Sequence, residues 1–530
     1  MRTLDLIVFL FYLASLVVIG GLFYKRSKSS SSFTTGDNKI PTWVISLSLF
    51  ATFVSSISYL ALPGSAYQRN WNPFVFSLSL PFAAFMAVKY FVPLYRKVNS
   101  PSAYTYLENR FGSWARIYAS SMYLLTQVMR IGTILFLMAL VPNLMFGWPI
   151  VSVIIITSLI VMIYSIMGGI QAVIWTDAIQ AIILIGGAIV CVILIAYKMP
   201  DGFFGIINVG IANHKFDLGS FGLNLSEPTF WVVLIYGTFI NLQNFGADQN
   251  YIQRYITSKT LGEAQRSAFW GAILYIPVSL IFLFIGTSLY ALYQSGTIPL
   301  PDKLNQLQNA DRIFPHFIAN ELPAGVTGLL LASIFAAGMS TISTSYNSSA
   351  TIILTDYFIK YADLTEKRKM MVLYLSTASM GLLGMIVGIA MINTKSALDT
   401  WWKFASIFSG GVLGLFLLSA FTNIQNVTAA IVGVLAGLVV IIVMTLSNIF
   451  PGLSSFWSQF HPYLSIVFGT STIFIVGFIL GTLFKKNDQP DGIHESQKNL
   501  LLFSICSPAS HYYGGMPAIV TKASGFTESG

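Results

Sequence analysis

A chain of 530 residues that is 55% hydrophobic, 9% charged and +0.71 in mean hydropathy cannot clothe itself in a water-soluble surface, because soluble domains carry about 25% charged residues. It reads as a polytopic membrane protein. Its net charge of +9 comes from basic residues scattered through short loops between apolar runs, which sets topology in a bilayer and argues against a nucleic-acid partner.

About thirteen runs reach the roughly 20 apolar residues needed to span hydrocarbon, at 3–24, 41–68, 73–97, 115–146, 148–168, 172–198, 228–247, 264–295, 323–358, 370–393, 399–420, 424–448 and 459–484. The first is too long for a signal peptide, and Lys25, Arg26 and Lys28 follow rather than precede it. It is therefore expected to be retained, with its N-terminus outside. Alternating from there, the loops with Lys39, with Arg96, Lys97, Arg110 and Arg116, with Arg254, Lys259 and Arg266, with Lys360, Lys367, Arg368 and Lys369, and with Lys485 and Lys486 fall on one side. The positive-inside rule makes that side the cytoplasm. The expectation is an all-α integral membrane protein of about 13 transmembrane helices over 1–486, a monomer in the lipid of a bacterial cytoplasmic membrane, with a cytoplasmic tail at 487–530. Cys191 lies in an apolar run and Cys506 in the tail, so no disulfide framework is implied. The cytoplasmic loops carry no Walker A or Rossmann glycine pattern, and the tail is too short for a catalytic domain, so neither an ATP-driven pump nor an enzyme is expected.

The second run holds Ser55, Ser56 and Ser58 followed by Pro63 and Gly64; the seventh holds Asn241, Gln243, Asn244 and Gly246. Lipid cannot satisfy a freed backbone, so breaks survive only inside protein or along a cavity. Runs two to six and seven to eleven would then have opposite orientations, predicting five-plus-five inverted repeats (about 41–198 and 228–420) with a site at mid-membrane. Small residues that merely let helices approach would give the same composition.

Arg130 lies in the middle of the fourth run. A cation at a helix centre costs about 2.5–3.5 kcal/mol on insertion scales and is kept where it faces a wet cavity and binds something, here an anion. Asp177 lies in the sixth run near its cytoplasmic end; it is a cation ligand or proton carrier, or else a helix-start cap or half of an ion pair. In the ninth run Ala337, Ser340, Thr341 and Thr344 share one helical face and Ser343 lies near Ser340. Such hydroxyls suit a hard alkali cation such as Na+, although hydroxyls in membrane helices also bond back to their own carbonyls. All five histidines (His214, His316, His461, His494, His511) fall in loops or tail, which favours a metal cation over a proton relay.

Three motifs, GGIQAVIWTDAIQA (168–181), NYIQRY (250–255) and AAGMSTISTSYNSSAT (336–351), come in that order. With them the chain resembles, to about residue 485, the sodium/solute symporter family, which includes bacterial sugar, proline, pantothenate and sialic acid symporters. The resemblance implies a LeuT-like five-plus-five core, alternating access, and a sodium site formed by the carbonyls of Ala51, Val54 and Ala337 with the hydroxyls of Ser340 and Thr341. Its sialic acid members imply a second sodium site at Asp177, Ser340, Ser343 and Thr344, and an arginine, Arg130, that pairs with the sugar carboxylate. Ser55, Ser56 and Ser58 at the first break would bind the carboxylate or other polar groups of the substrate, with Asn241 at the second break a lesser contributor and Ser77 at the position of hydroxyl recognition. The expected function is sodium-coupled import of an anionic sugar, sialic acid. Import of another carboxylate-bearing solute such as proline or pantothenate, import of a neutral sugar, a passive channel, and a sensor are the other readings.

Overall fold

The computed structural model describes residues 2–98, 100–300, 310–393, 408, 411–450 and 454–484. The expected tail at 487–530 and the first half of the eleventh run lie outside them. The described residues are helical with no strand. In chain order the elements used below are α1 Thr3–Phe23, α2 Thr42–Phe53, α3 Ser56–Gln68, α4 Phe74–Val98, α5 Ser113–Phe146, α6 Ile150–Lys198, α7 Phe230–Ala247, α8 Gln249–Thr257, α9 Leu261–Gln294, α10 Val326–Ile352, α11 Glu366–Ala390, α12 Val427–Ile449 and α13 Leu464–Leu483.

Nine described helices are long and apolar enough to cross a membrane, or ten with the bent α2–α3 pair taken as one span. Three of the runs expected from sequence fall outside that figure, each for its own reason. The fifth and sixth are merged in α6; α7 is diluted by Asn241, Gln243 and Asn244; the eleventh is only partly described.

The lipid-facing helices show a buried stripe without a polar opposite face, as expected where the solvent is itself apolar. On α1 the buried positions are Asp5, Phe9, Tyr12, Leu16 and Gly20, a 3.6-residue period, while Ile7, Phe11, Val18 and Leu22 are exposed. Asp5 is the odd member. Its Oδ1 accepts from the backbone N–H groups of Gly325 (2.6 Å) and Gly328 (3.2 Å), so it satisfies the unpaired donors at the start of α10 and its charge complements that helix dipole.

α6 runs for 49 residues but reverses at Gly169 (φ 53°, ψ −151°). Gly20 lies against Tyr164 and Phe23 stacks on Trp175, while Tyr12, farther back along α1, takes a hydrogen bond from Gln180. The chain therefore climbs along α1 and returns along it. A Cβ at residue 169 would meet Phe33 at 2.8–3.0 Å in a backbone region closed to side chains. Gly169→Ala is accordingly expected to destabilise the purified protein by more than about 1 kcal/mol, read as a lowered unfolding temperature in detergent.

α10 is the central helix: 89% of its apolar window is buried, against 28% for α1. Around it the chain is interrupted twice. Between α2 and α3, Val54 (φ −83°, ψ 120°) and Ser55 (φ −113°, ψ 172°) are extended and the axis turns by 55°. Between α7 and α8 the extended residue is Asp248 (φ −89°, ψ 121°). The second break therefore falls beyond Asn241, Gln243, Asn244 and Gly246, which are all inside α7. The side chain of Asp248 explains the displacement, because it caps α8 by accepting from Asn250 N–H at 2.7 Å.

Candidate transport site

The last turn of α2 ends in carbonyls with no helical partner beyond them. The residues assigned to the first sodium site converge there. Ser340 Oγ lies 3.2 Å from Ala51 O and 3.2 Å from Ala337 O. Thr341 Oγ1 lies 3.5 Å from Val54 O and 3.2 Å from Ala337 O. All five residues are buried, none more than 1% exposed. Five neutral oxygens, three of them carbonyls, form the donor set that a hard monovalent cation accepts without a carboxylate. Among the described residues no cluster of three His, Cys, Asp or Glu forms elsewhere.

Arg130 reaches the same segment from α5. Its Nη2 donates to Thr52 O at 3.3 Å, between the two α2 carbonyls of the cation site, and its Nη1 lies 3.9 Å from Asp248 Oδ2. Both contacts are long for a guanidinium. The side chain is 16% exposed, so the fork is neither sealed in protein nor consumed by a close carboxylate. α5 is held beside both breaks by its neighbours: Tyr123 Oη donates to Asn250 Oδ1 at 2.7 Å, and Gln127 Oε1 accepts from Asn250 and from Ser345. Phe53 at the first break stacks on Phe245 of α7 and tilts against Tyr275 of α9, ring centroids 6.2 and 4.5 Å apart.

Asp177 is fully buried, and so is its partner. Arg254 Nη2 lies 2.6 Å from Asp177 Oδ2 and 2.7 Å from Thr344 Oγ1; Arg254 Nε donates to Ser48 Oγ at 2.7 Å, which donates to Asp177 Oδ2 at 2.7 Å. Thr344 is thus beside Asp177, as the second sodium site requires, at 3.4 Å. Ser343 donates its hydroxyl to Ser340 O, and no hydrogen bond joins it to Asp177 among the described residues. Arg254, counted above among basic loop residues, is 0% exposed on a buried helix; a charge can sit there because Asp177 neutralises it.

The remaining assigned residues are dispersed. Ser55 and Ser56 are buried at the first break, and Ser56 Oγ has no hydrogen-bond partner among the described residues; Ser58 is half-buried one turn on. Ser77 Oγ donates to Ser279 Oγ, joining α4 to α9, and no hydrogen bond joins it to Arg130 among the described residues. Asn241 Nδ2 donates to Ser79 Oγ at 2.8 Å, while its Oδ1 is buried without a partner among the described residues.

The family model for the sodium:solute symporter family matches residues 33–437. The chain belongs to the sodium:solute symporter family. This symporter is 32% identical over 480 residues to the sodium/sialic acid symporter SiaT of Proteus mirabilis, covering 89% of this chain and 94% of that protein. It is 30% identical to the sodium/sialic acid symporter NanT of Aliivibrio fischeri, covering 93% and 96%. A solved Na+-coupled sialic acid symporter, substrate-bound and outward-open, superimposes with a TM-score of 0.84 at 29% identity, over 92% of this chain and 100% of that one. At 12% identity and a TM-score of 0.56, the nucleobase-cation symporter Mhp1 shares the fold alone.

Two groups of this symporter's site escaped the sequence reading. Asp248 lies outside all three motifs, and only the capping geometry D-x-N at a helix start hinted at it. Arg254 lies within NYIQRY, but a basic residue shortly before Lys259 reads locally as loop charge.

Proposed function

We propose that this symporter imports an anionic sugar, sialic acid, together with sodium. The observation that supports the reading best is that Arg130 and the cation-site oxygens meet on one unwound segment, with Thr52 between Ala51 and Val54. A sodium ion and a guanidinium so placed repel each other. A carboxylate between them attracts both, so each cargo raises the site's affinity for the other, a reciprocal coupling. The planar guanidinium fork suits a carboxylate, which it can hold through two parallel N–H donors. The sodium ion, held by Ala51, Val54, Ala337, Ser340 and Thr341, braces α10 against the α2–α3 break, and the serines at 55, 56 and 58 organise around the substrate. Two inverted five-helix repeats then rock about this point in alternating access. One sodium carries the anion electroneutrally, and each net positive charge beyond that gains about 2.3 kcal/mol per 100 mV of membrane potential on moving inward. The protein would work as a monomer in the bacterial cytoplasmic membrane, N-terminus outside and C-terminus inside.

Proteoliposomes loaded with this symporter should accumulate labelled N-acetylneuraminic acid in sodium and fall to background when choline replaces it. Ser340→Ala should raise the half-saturating sodium concentration about tenfold, the loss of one ligand in five. Uptake indifferent to both changes would rule the reading out. A second reading, symport of a different small carboxylate, is favoured by the 26% identity to the human sodium-coupled monocarboxylate transporter 1 over 77% of this chain. Competition by monocarboxylates, proline and pantothenate against the labelled sugar decides between the two.

A further inference from the structure

Asp248 stands at the second break with its two carboxylate oxygens in different employment. Oδ1 accepts from Asn250 N–H at 2.7 Å and so caps α8. Oδ2 faces Arg130 Nη1 at 3.9 Å, beyond hydrogen-bond length, and takes no hydrogen bond among the described residues. The side chain is 12% exposed and that of Arg130 16%, so neither of these two neighbouring groups is sealed in protein. A free anionic acceptor beside an unsaturated cationic fork is a two-point receptor. One point takes a carboxylate; the other takes a hydrogen-bond donor. The span between them is too short for groups at opposite ends of a sugar, but a hydroxyl on the carbon next to the carboxyl group reaches Oδ2 while the carboxylate keeps Nη1, each at about 2.7–2.9 Å.

We propose that Asp248 determines specificity at the Arg130 site by accepting a hydrogen bond from the hydroxyl adjacent to the substrate carboxylate, selecting α-hydroxy acids, which include the free hemiketal form of sialic acid. This rests on the reading of Arg130 as the carboxylate anchor. Asp248 also keeps the empty site near neutrality, since its charge offsets that of Arg130. With substrate and one sodium bound, the four charges again sum to zero. Simple carboxylates lacking the neighbouring hydroxyl leave Oδ2 facing the substrate without a donor, and such an unmet acceptor disfavours them.

The test is competition against sodium-driven uptake of labelled N-acetylneuraminic acid in proteoliposomes, with the unlabelled sugar, its 2-deoxy analogue and its 2-O-methyl glycoside. In the wild-type protein both analogues should compete about 10- to 100-fold more weakly than the parent, the range for losing a hydrogen bond to a charged group. Asp248→Asn keeps an oxygen for the α8 cap but turns an amide donor toward the site. It should raise KM for the parent about tenfold with little change in kcat, and bring parent and deoxy analogue within about threefold of each other. Equal competition by all three compounds in the wild type, or undiminished discrimination in Asp248→Asn, overturns the proposal. So does an amino acid displacing the sugar in an Asp248-dependent way, since the donor would then be an ammonium. If the sugar shows no sodium-dependent uptake at all, the underlying function fails with it, a result distinct from uptake without discrimination.

Discussion

Replacing Arg130 with alanine should lower sodium-driven uptake of the anionic sugar by at least about 100-fold. Removing one partner of a partly desolvated charge pair costs about 2–5 kcal/mol, and here the lost partner is a bidentate fork whose other donors are nearly idle. The deletion also strands Asp248, whose cation at 3.9 Å disappears, so the vacated site turns negative and repels the substrate. Arg130→Lys keeps the charge but not the planar fork, and about a tenfold residual loss is expected. Initial uptake rates in proteoliposomes measure both, and sodium-dependent protection against thermal unfolding checks that the cation site survives. Uptake at the wild-type rate in Arg130→Ala would remove the carboxylate anchor from the mechanism.

Asp177→Asn should destabilise the folded protein by about 3–5 kcal/mol, because it leaves the Arg254 guanidinium buried with no countercharge. A double replacement, Asp177→Asn with Arg254→Leu, should recover part of that loss, since no buried charge is then left without a countercharge. Unfolding temperature in detergent reports the stability. The sodium dependence of uptake reports the other assignment of Asp177. If it also ligates a second ion, the rescued double variant still shows a simple hyperbolic sodium curve in place of a steep one. If the ion pair is its whole role, the double variant keeps the wild-type curve.

Arg130 and the hydroxyl face of α10 were legible in the sequence for the same reason: each breaks a strong local rule. A cation at mid-membrane and four hydroxyls on one side of an apolar helix both carry a transfer cost that composition reveals without knowing any neighbour. The positions of Ala51 and Val54 came through family resemblance, and in the fold their carbonyls lie beside the hydroxyls of Ser340 and Thr341. The second break was less legible. Asn241, Gln243 and Asn244 drew attention to α7, yet amides can be held within a regular helix by neighbours, and Asn241 is held by Ser79. Asp248, where the backbone does open, is one charged residue beyond the apolar run.

The sequence alone determined that this chain lives in a membrane, roughly where its helices cross, and which face of α10 carries the hydroxyls, because these follow from the transfer free energy of side chains and from helical periodicity, both local properties. Only the tertiary structure decided who pairs with whom: Asp177 with Arg254, Arg130 with Thr52 and Asp248, Asp5 with the start of α10. A buried charge demands a partner wherever it sits, but the demand is met by whichever helix packs against it. That choice depends on shapes and breaks distributed over the whole fold, and no window of residues contains it.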